Sequence, residues 1–173
     1  MSESMAAKAG SHADADVLRE RFKERIYASL SLLAVLVGLA QGGHPTHVGA
    51  AVSVAVTALG LWLATLVADL QAHPVAHGRM PRLPEIRHTL FTSSPLLTSA
   101  AGPLLLIGLS AVGAPELTTA LWISVGSEVA ALAGWGFAGG RRVGAGLLGS
   151  SVAGVLNAVI GAGVVAVKLL AGH

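Results

Sequence analysis

Long apolar stretches that lack charged side chains constrain this chain more than any other feature. Five of them can be drawn, each close to the roughly 17 to 25 residues that an α-helix needs to cross a bilayer. Only 12% of the 173 residues are charged, against about 25% in a typical soluble domain. The sequence therefore predicts an all-α fold, that of a polytopic helical membrane protein with five transmembrane helices. The predicted spans run from about Ile26 to Gly42, Val48 to Leu70, Pro95 to Gly113, Leu117 to Ala138 and Gly144 to Leu170.

Basic residues mark one side of this arrangement. Ten of the eleven Lys and Arg residues precede the first span, or fall between the second and third or between the fourth and fifth. Such residues are enriched in the cytoplasmic loops of multi-pass proteins. We therefore expect a protein of the plasma (inner) membrane, with its N-terminus in the cytoplasm and its C-terminus outside. Residues 1–25 would form a cytoplasmic tail, either an interfacial helix or an extension of the first span, before a five-helix transmembrane domain at residues 26–170.

Composition excludes several classes of function. The chain contains no cysteine, which removes thiolate metal sites and disulfides. Its basic residues flank apolar stretches and are explained by topology, so the expected partner is the lipid bilayer and not a nucleic acid. The sequence contains no glycine-rich phosphate loop and no nucleophile motif. We therefore expect a protein that is not an enzyme and that carries no cofactor.

Polar residues inside the apolar stretches are the candidate functional residues. Glu128 and Asn157 lie near the middle of the fourth and fifth spans, and Asp69 lies at the end of the second. A carboxylate at membrane depth costs roughly 2.5 kcal/mol or more and usually faces protein or a cavity. Glu128 is therefore either an ion- or proton-coupled site, with Asn157 and Asp69 as further candidates, or a hydrogen-bonded carboxyl that fixes helix packing. Ser124, Ser127 and Asn157 are its expected partners.

Small residues recur every four positions in the fifth span. Residues four apart lie along one slowly rotating face of a helix, and small side chains let a neighbouring backbone approach closely. We predict that this row packs against another helix, within one protomer or between two. The row comprises Gly146, Ser150, Gly154, Ala158, Ala162 and Ala166.

Two histidines near the end of the second span are candidate metal ligands. His73 and His77 follow Asp69 at intervals of four, which would align the three side chains on an unbroken helix. Pro74 disfavours helical geometry at His73 and removes a backbone donor. We therefore expect the helix to end just before His73, and we expect no metal site to form there.

Two segments of the sequence resemble known membrane proteins. The stretch from GLWLA at 60–64 to AHGR at 76–79, followed by GWGFAGGRR at 134–142, resembles small five-span integral membrane proteins of actinobacteria. That resemblance implies no particular activity. A more remote likeness to membrane proteins of the vacuolar-iron-transporter type implies five spans, a cytoplasmic N-terminus and a dimer. The acidic and methionine residues for metal passage in that family have no counterpart on the first span here, so only the architecture is taken over.

Two classes of function remain open from the sequence. The first is a small ion- or proton-coupled transporter or channel-like protein that uses the mid-membrane Glu128. The alternative is a non-catalytic subunit or scaffold of a larger membrane assembly. In either case we expect a homo-oligomer, with a dimer favoured, or a complex with another membrane protein.

Overall fold

The structure, a computed structural model, describes residues 2–171, with side chains from residue 17 onward. Within these residues the fold is all-α, and the helices follow one another with short connections. The first helix alone continues from the charged N-terminal segment into an apolar stretch, so the predicted tail is here an extension of that helix. The helices are α1 (Ser2–Gln41), α2 (His47–His77), α3 (Leu83–Ser99), α4 (Ala101–Ala111), α5 (Leu117–Arg142) and α6 (Gly146–Ala171).

Four helical segments are long and apolar enough to cross a membrane. They are α2, the pair α3 and α4 taken together as Leu83–Ala111, α5 and α6. These segments overlap the last four predicted spans and are compatible with a multi-pass membrane protein. The first predicted span, which lies in α1, is not among them, so the count of five spans is not confirmed.

Helix α1 is surrounded by the other helices. It contacts α2, α3, α5 and α6. Leu32, Leu33, Leu36 and Val37 on this helix are 0% exposed. A helix enclosed by protein has little surface to turn towards lipid, so it can carry polar residues that a lipid-facing helix could not. The first predicted span therefore lies in the centre of the fold.

The observed helix bounds correct two of the predictions. Helix α2 continues to His77 with Pro74 inside its last turns, so the predicted end before His73 is wrong. Proline removes one backbone donor, and this close to the end of the helix the loss is small. The helix stops one residue further on, where Gly78 adopts a left-handed conformation with φ of 65°. Helix α3 begins at Leu83, well before the predicted start of the third span at Pro95.

Helices α5 and α6 pack more extensively than any other pair. Glycines of α5 make this possible. A Cβ added at Gly140 would lie 2.6 Å from Ser150 Cα, and one at Gly136 would lie 2.5 Å from Asn157 Nδ2. On α6, a Cβ added at Gly154 would lie 2.9 Å from the carbonyl oxygen of Ala133. Distances this short leave no room for a side chain, so the two backbones touch.

The small-residue row follows this contact over only part of its length. Ser150 and Gly154 are buried against α5, and Ala158 is half-buried. Gly146 and Ala162 are exposed, and the buried position beyond Gly154 is Gly161. A step of four residues turns about 40° past a full circle, so a strict four-residue row leaves a straight contact after two or three steps.

The ends of neighbouring helices meet in an alternating pattern. Phe22, midway along α1, packs against Trp135 near the end of α5, with ring centroids 6.3 Å apart. At the opposite end of the bundle, His47 Nε2 at the start of α2 lies 3.1 Å from Ser110 Oγ near the end of α4. Successive helical segments therefore run in opposite directions, with α3 and α4 acting as one segment.

Candidate functional site

Glu128 lies in the interior, between α5 and α1. It is 7% exposed. The hydroxyl of Ser29 on α1 lies next to its carboxyl group, and the guanidinium of Arg25, one turn earlier on α1, acts on it electrostatically. Both partners belong to the helix at the centre of the fold. The carboxyl group therefore connects α5 to α1 through one charged side chain, Arg25, and one hydroxyl group, that of Ser29.

The partners expected from sequence make other contacts. Ser124 Oγ donates to the carbonyl oxygen of Ala120 at 2.8 Å, and Ser127 Oγ donates to the carbonyl oxygen of Ser124 at 2.8 Å. Both bonds stay within α5. Asn157 is half-buried at the contact between α6 and Gly136. The polar residue that meets Glu128 from another helix is Ser29, which sequence reasoning missed because no local pattern connects residues so far apart in the chain.

Asp69 belongs to a second polar cluster, where α2 meets the charged part of α1. Lys23 pairs with Glu20, lies 3.8 Å from Glu24 and is within electrostatic range of Asp69. Glu24 is 3% exposed and lies next to Thr65 of α2. Burial raises the pKa of the Glu24 carboxyl, and the neighbouring Lys23 opposes that rise.

His73 and His77 of α2 stack on each other and lie apart from Asp69. Their ring centroids are 4.4 Å apart with an angle of 17° between the planes. His73 Nε2 lies 3.3 Å from a carboxylate oxygen of Glu85, which in turn pairs with Arg79. Asp69 faces α1 instead. Within the described residues, no three His, Asp or Glu side chains come together in a way that could hold a metal ion.

A cavity of about 260 Å³ opens where α1 meets the end of α5. Three arginines and two aromatic residues are among the residues that line it. Arg25 lies over the ring of Trp135, 4.7 Å from its centroid, and Trp135 meets Phe22 edge to face. The other two arginines are Arg21 of α1 and Arg142 in the last turn of α5.

A shallow apolar groove continues from this cavity along α5. Small residues form it, namely Ala131, Gly134 and Ala138, together with Trp135. Trp135 and Ala138 also line the cavity, so the two spaces are contiguous. Together they form a space with a cationic end and an apolar end.

The sequence carries a signal for this cavity. Leu18, Arg21, Phe22 and Arg25 recur at the i, i+3, i+4, i+7 spacing that places residues on one face of a helix. From the sequence alone, these arginines are interpreted as a topology signal. Their helical spacing predicts a common face, but it does not identify Trp135 and Arg142 as the residues opposite.

The geometry defines the class of protein as an all-helical one with the span-capable helices of a multi-pass membrane protein. No protein-family model, curated protein or solved structure matches the chain. The resemblances to five-span actinobacterial membrane proteins and to the vacuolar-iron-transporter type therefore stay predictions.

Proposed function

We propose that the chain is a five-span protein of the inner membrane, in which α1 supplies the span that hydropathy alone does not reveal. The fully buried leucines of α1 and its contacts with four other helices support this proposal. The N-terminus is cytoplasmic and the C-terminus is outside. In support, Arg21, Arg25 and Arg142, which come from two basic regions of the sequence, lie around one cavity at the same end of the bundle.

Within that architecture, we propose a non-catalytic subunit or scaffold of a larger membrane assembly. The observation that carries this proposal is the enclosure of Glu128, which is 7% exposed and meets Ser29 and Arg25 of α1. A polar group inside a membrane is costly unless it is paired, and here pairing holds α5 to the central helix. The apolar outer faces of α2 and α6, the least buried of the four candidate spans, are available to lipid, to a second copy or to another membrane protein.

One observation favours a second candidate, a small ion- or proton-coupled transporter or channel-like protein. Arg25 acts on Glu128 and also lies in the wall of the cavity, over Trp135. A single side chain thus joins the mid-membrane carboxyl group to a space at the arginine-rich end. In this mechanism Glu128 exchanges a proton or a cation with that end as Arg25 moves.

Two substitutions at Glu128 separate these functions. Glu128→Gln retains a carbonyl oxygen that can accept a hydrogen bond from Ser29, whereas Glu128→Leu removes the polar group next to Ser29 and Arg25, at a cost of about 1–3 kcal/mol. The scaffold proposal predicts that Glu128→Gln unfolds near the wild-type temperature and that Glu128→Leu unfolds well below it. Circular dichroism of the purified proteins in detergent measures both. If Glu128→Leu were as stable as the wild type, the linking role would be wrong.

Flux measurements test the second candidate. Wild-type protein and Glu128→Gln are reconstituted into liposomes that contain a pH-sensitive dye, with protein-free liposomes as the control. The scaffold proposal predicts equal proton leak in all three preparations. Proton flux above the control that disappears in Glu128→Gln would overturn it in favour of the transporter.

The oligomeric state remains a prediction, with a homodimer favoured. We expect purified protein in nanodiscs to have the mass of two copies by native mass spectrometry. A monomer under all conditions would contradict the dimer and would leave another membrane protein as the expected partner.

A further inference from the structure

The arginine-lined cavity has unused hydrogen-bonding capacity. A guanidinium group carries five N–H donors in one plane, and an aromatic ring that covers its face leaves the edge free to bind an anion. Arg25 is stacked in this way on Trp135, and Arg21 on Phe91 at 4.4 Å. Arg21 uses one donor on the carbonyl oxygen of Phe91, at 3.0 Å. Most donors of Arg21 therefore remain for a ligand, while Arg25 faces the cavity and also acts on Glu128.

The acidic residues of α1 lie away from this cavity. Glu20 and Glu24 share the cluster with Lys23 on the side of α1 that meets α2. The cavity is lined instead by Arg21 and Arg25, with Arg142 from α5. Three positive groups around a space of about 260 Å³ favour an anionic ligand group. Phosphate fits this arrangement because arginine binds it through paired N–H donors.

The groove on α5 extends the site into the apolar part of the bundle. Its floor includes Gly134, which is exposed and whose added Cβ would meet nothing within 4 Å. The groove joins the cavity at Trp135 and Ala138. A free phosphate ion would fill only the cationic end. A ligand that fills both ends must join an anionic head to an apolar chain.

We propose that the cavity and groove together bind one anionic phospholipid of the adjacent leaflet. The phosphate group lies among Arg21, Arg25 and Arg142, and an acyl chain lies along Ala131 and Gly134. Basic pockets at the cytoplasmic ends of transmembrane helices are suited to anionic head groups, and each basic residue near such a surface contributes roughly fivefold in affinity. The proposal rests on the proposed insertion of the bundle in the inner membrane, and it shares Arg25 with the proposed role of Glu128.

Fluorescence quenching of Trp135 tests the proposal directly. The chain has three tryptophans, and Trp62→Phe with Trp122→Phe leaves Trp135 as the only one. This protein is titrated in detergent micelles with phosphatidylglycerol or phosphatidylcholine that carries brominated acyl chains. We expect phosphatidylglycerol to quench Trp135 at much lower mole fraction than phosphatidylcholine. Equal quenching by the two lipids would overturn the proposal.

Arginine variants test the head-group end. Arg21→Gln combined with Arg142→Gln removes two of the three cations, and we expect the preference for phosphatidylglycerol to fall roughly 25-fold. Arg141→Gln is the matched control, because Arg141 is a neighbouring exposed arginine of α5 outside the cavity lining. An equal loss in the control would show general attraction to a charged surface and would contradict a built site. Displacement of the lipid by millimolar inorganic phosphate would overturn the proposal of an amphiphilic ligand and would leave a site for a simple anion only.

Glycine variants test the chain end. Gly134→Leu fills the groove, and the open space around Gly134 lets the protein fold. Gly126→Leu is the control, because Gly126 is also an exposed glycine of α5 with nothing within 4 Å. We expect Gly134→Leu to weaken quenching by brominated phosphatidylglycerol and the control to leave it unchanged. Unchanged quenching in both variants would show that no chain lies in the groove. The arginine variants give an independent result if Gly134→Leu fails to fold.

Discussion

The contact between α5 and α6 predicts a strong effect from adding one methyl group. In Gly136→Ala, the new Cβ would meet the carbonyl oxygen of Ala153 and would lie 2.5 Å from Asn157 Nδ2. Ordinary contacts begin near 3.4 Å, so the helices must separate by about 1 Å. The carbonyl group belongs to the backbone and cannot rotate away. Overpacking of this kind costs about 1–3 kcal/mol.

A second glycine of α5 isolates this cost. Alanine has a higher helix propensity than glycine by up to about 1 kcal/mol, which would hide part of the effect. Gly126→Ala makes the same chemical change on the same helix, where the added Cβ meets nothing within 4 Å. The propensity gain therefore cancels between the two variants, and the difference between them reports the steric cost alone.

Thermal unfolding of the purified variants in detergent, followed by circular dichroism, measures this difference. One kcal/mol corresponds to about 2–4 °C for a chain of this size. We therefore expect Gly136→Ala to unfold roughly 2–12 °C below Gly126→Ala. Equal unfolding temperatures would refute the reasoning, because they would mean that the backbones of α5 and α6 are not in contact at Gly136.

Three further predictions follow from the fold. Gly154→Leu should lower the unfolding temperature in the same assay because Gly154 touches α5, whereas Ala162→Leu, on the exposed face of α6, should not; the reverse order would contradict the observed contact. Burial raises the pKa of Glu24, so the native state holds this proton more tightly than the unfolded chain does. Stability should be greatest below the ordinary value of about 4.5 and should fall as the pH rises through the folded pKa; Glu24→Gln should reduce that fall, and a pH profile identical to the wild type would refute it. Reporter fusions after Arg87 and at the C-terminus should be found on opposite sides of the membrane, since a shared side would exclude five spans.

The helical segments were predictable because their signal is local. An apolar stretch long enough to cross a bilayer is evident without knowledge of its neighbours, and the last four predicted spans correspond to helices. Pro74 was misjudged because its local preference against helix was weighed without its position, which is close to the end of α2 where one lost hydrogen bond matters little. The extension of α3 back to Leu83 was missed for a related reason. The first turns of this helix contain polar residues, and a search for apolar stretches does not detect them.

The pairing between helices was not predictable because it depends on rotation and depth. Glu128 and Ser29 are far apart in the chain, and nothing in either segment specifies that α1 and α5 are neighbours. The same limitation applies to α6. The sequence shows a row of small residues at steps of four, but the contact with α5 steps by three from Gly154 to Asn157 and then by four to Gly161. Arg25 belongs to the basic residues before the first predicted span and Trp135 to the fourth predicted span, and only the packing of α1 against α5 brings them together.

The central position of α1 has a consequence for synthesis of the protein. This helix is made before the helices that enclose it, and α5 begins only at Leu117. Until then, Arg25, Ser29 and the charged residues before them have none of their final partners on α5. The contacts of α1 with α5 are therefore completed only when the second half of the chain has been made.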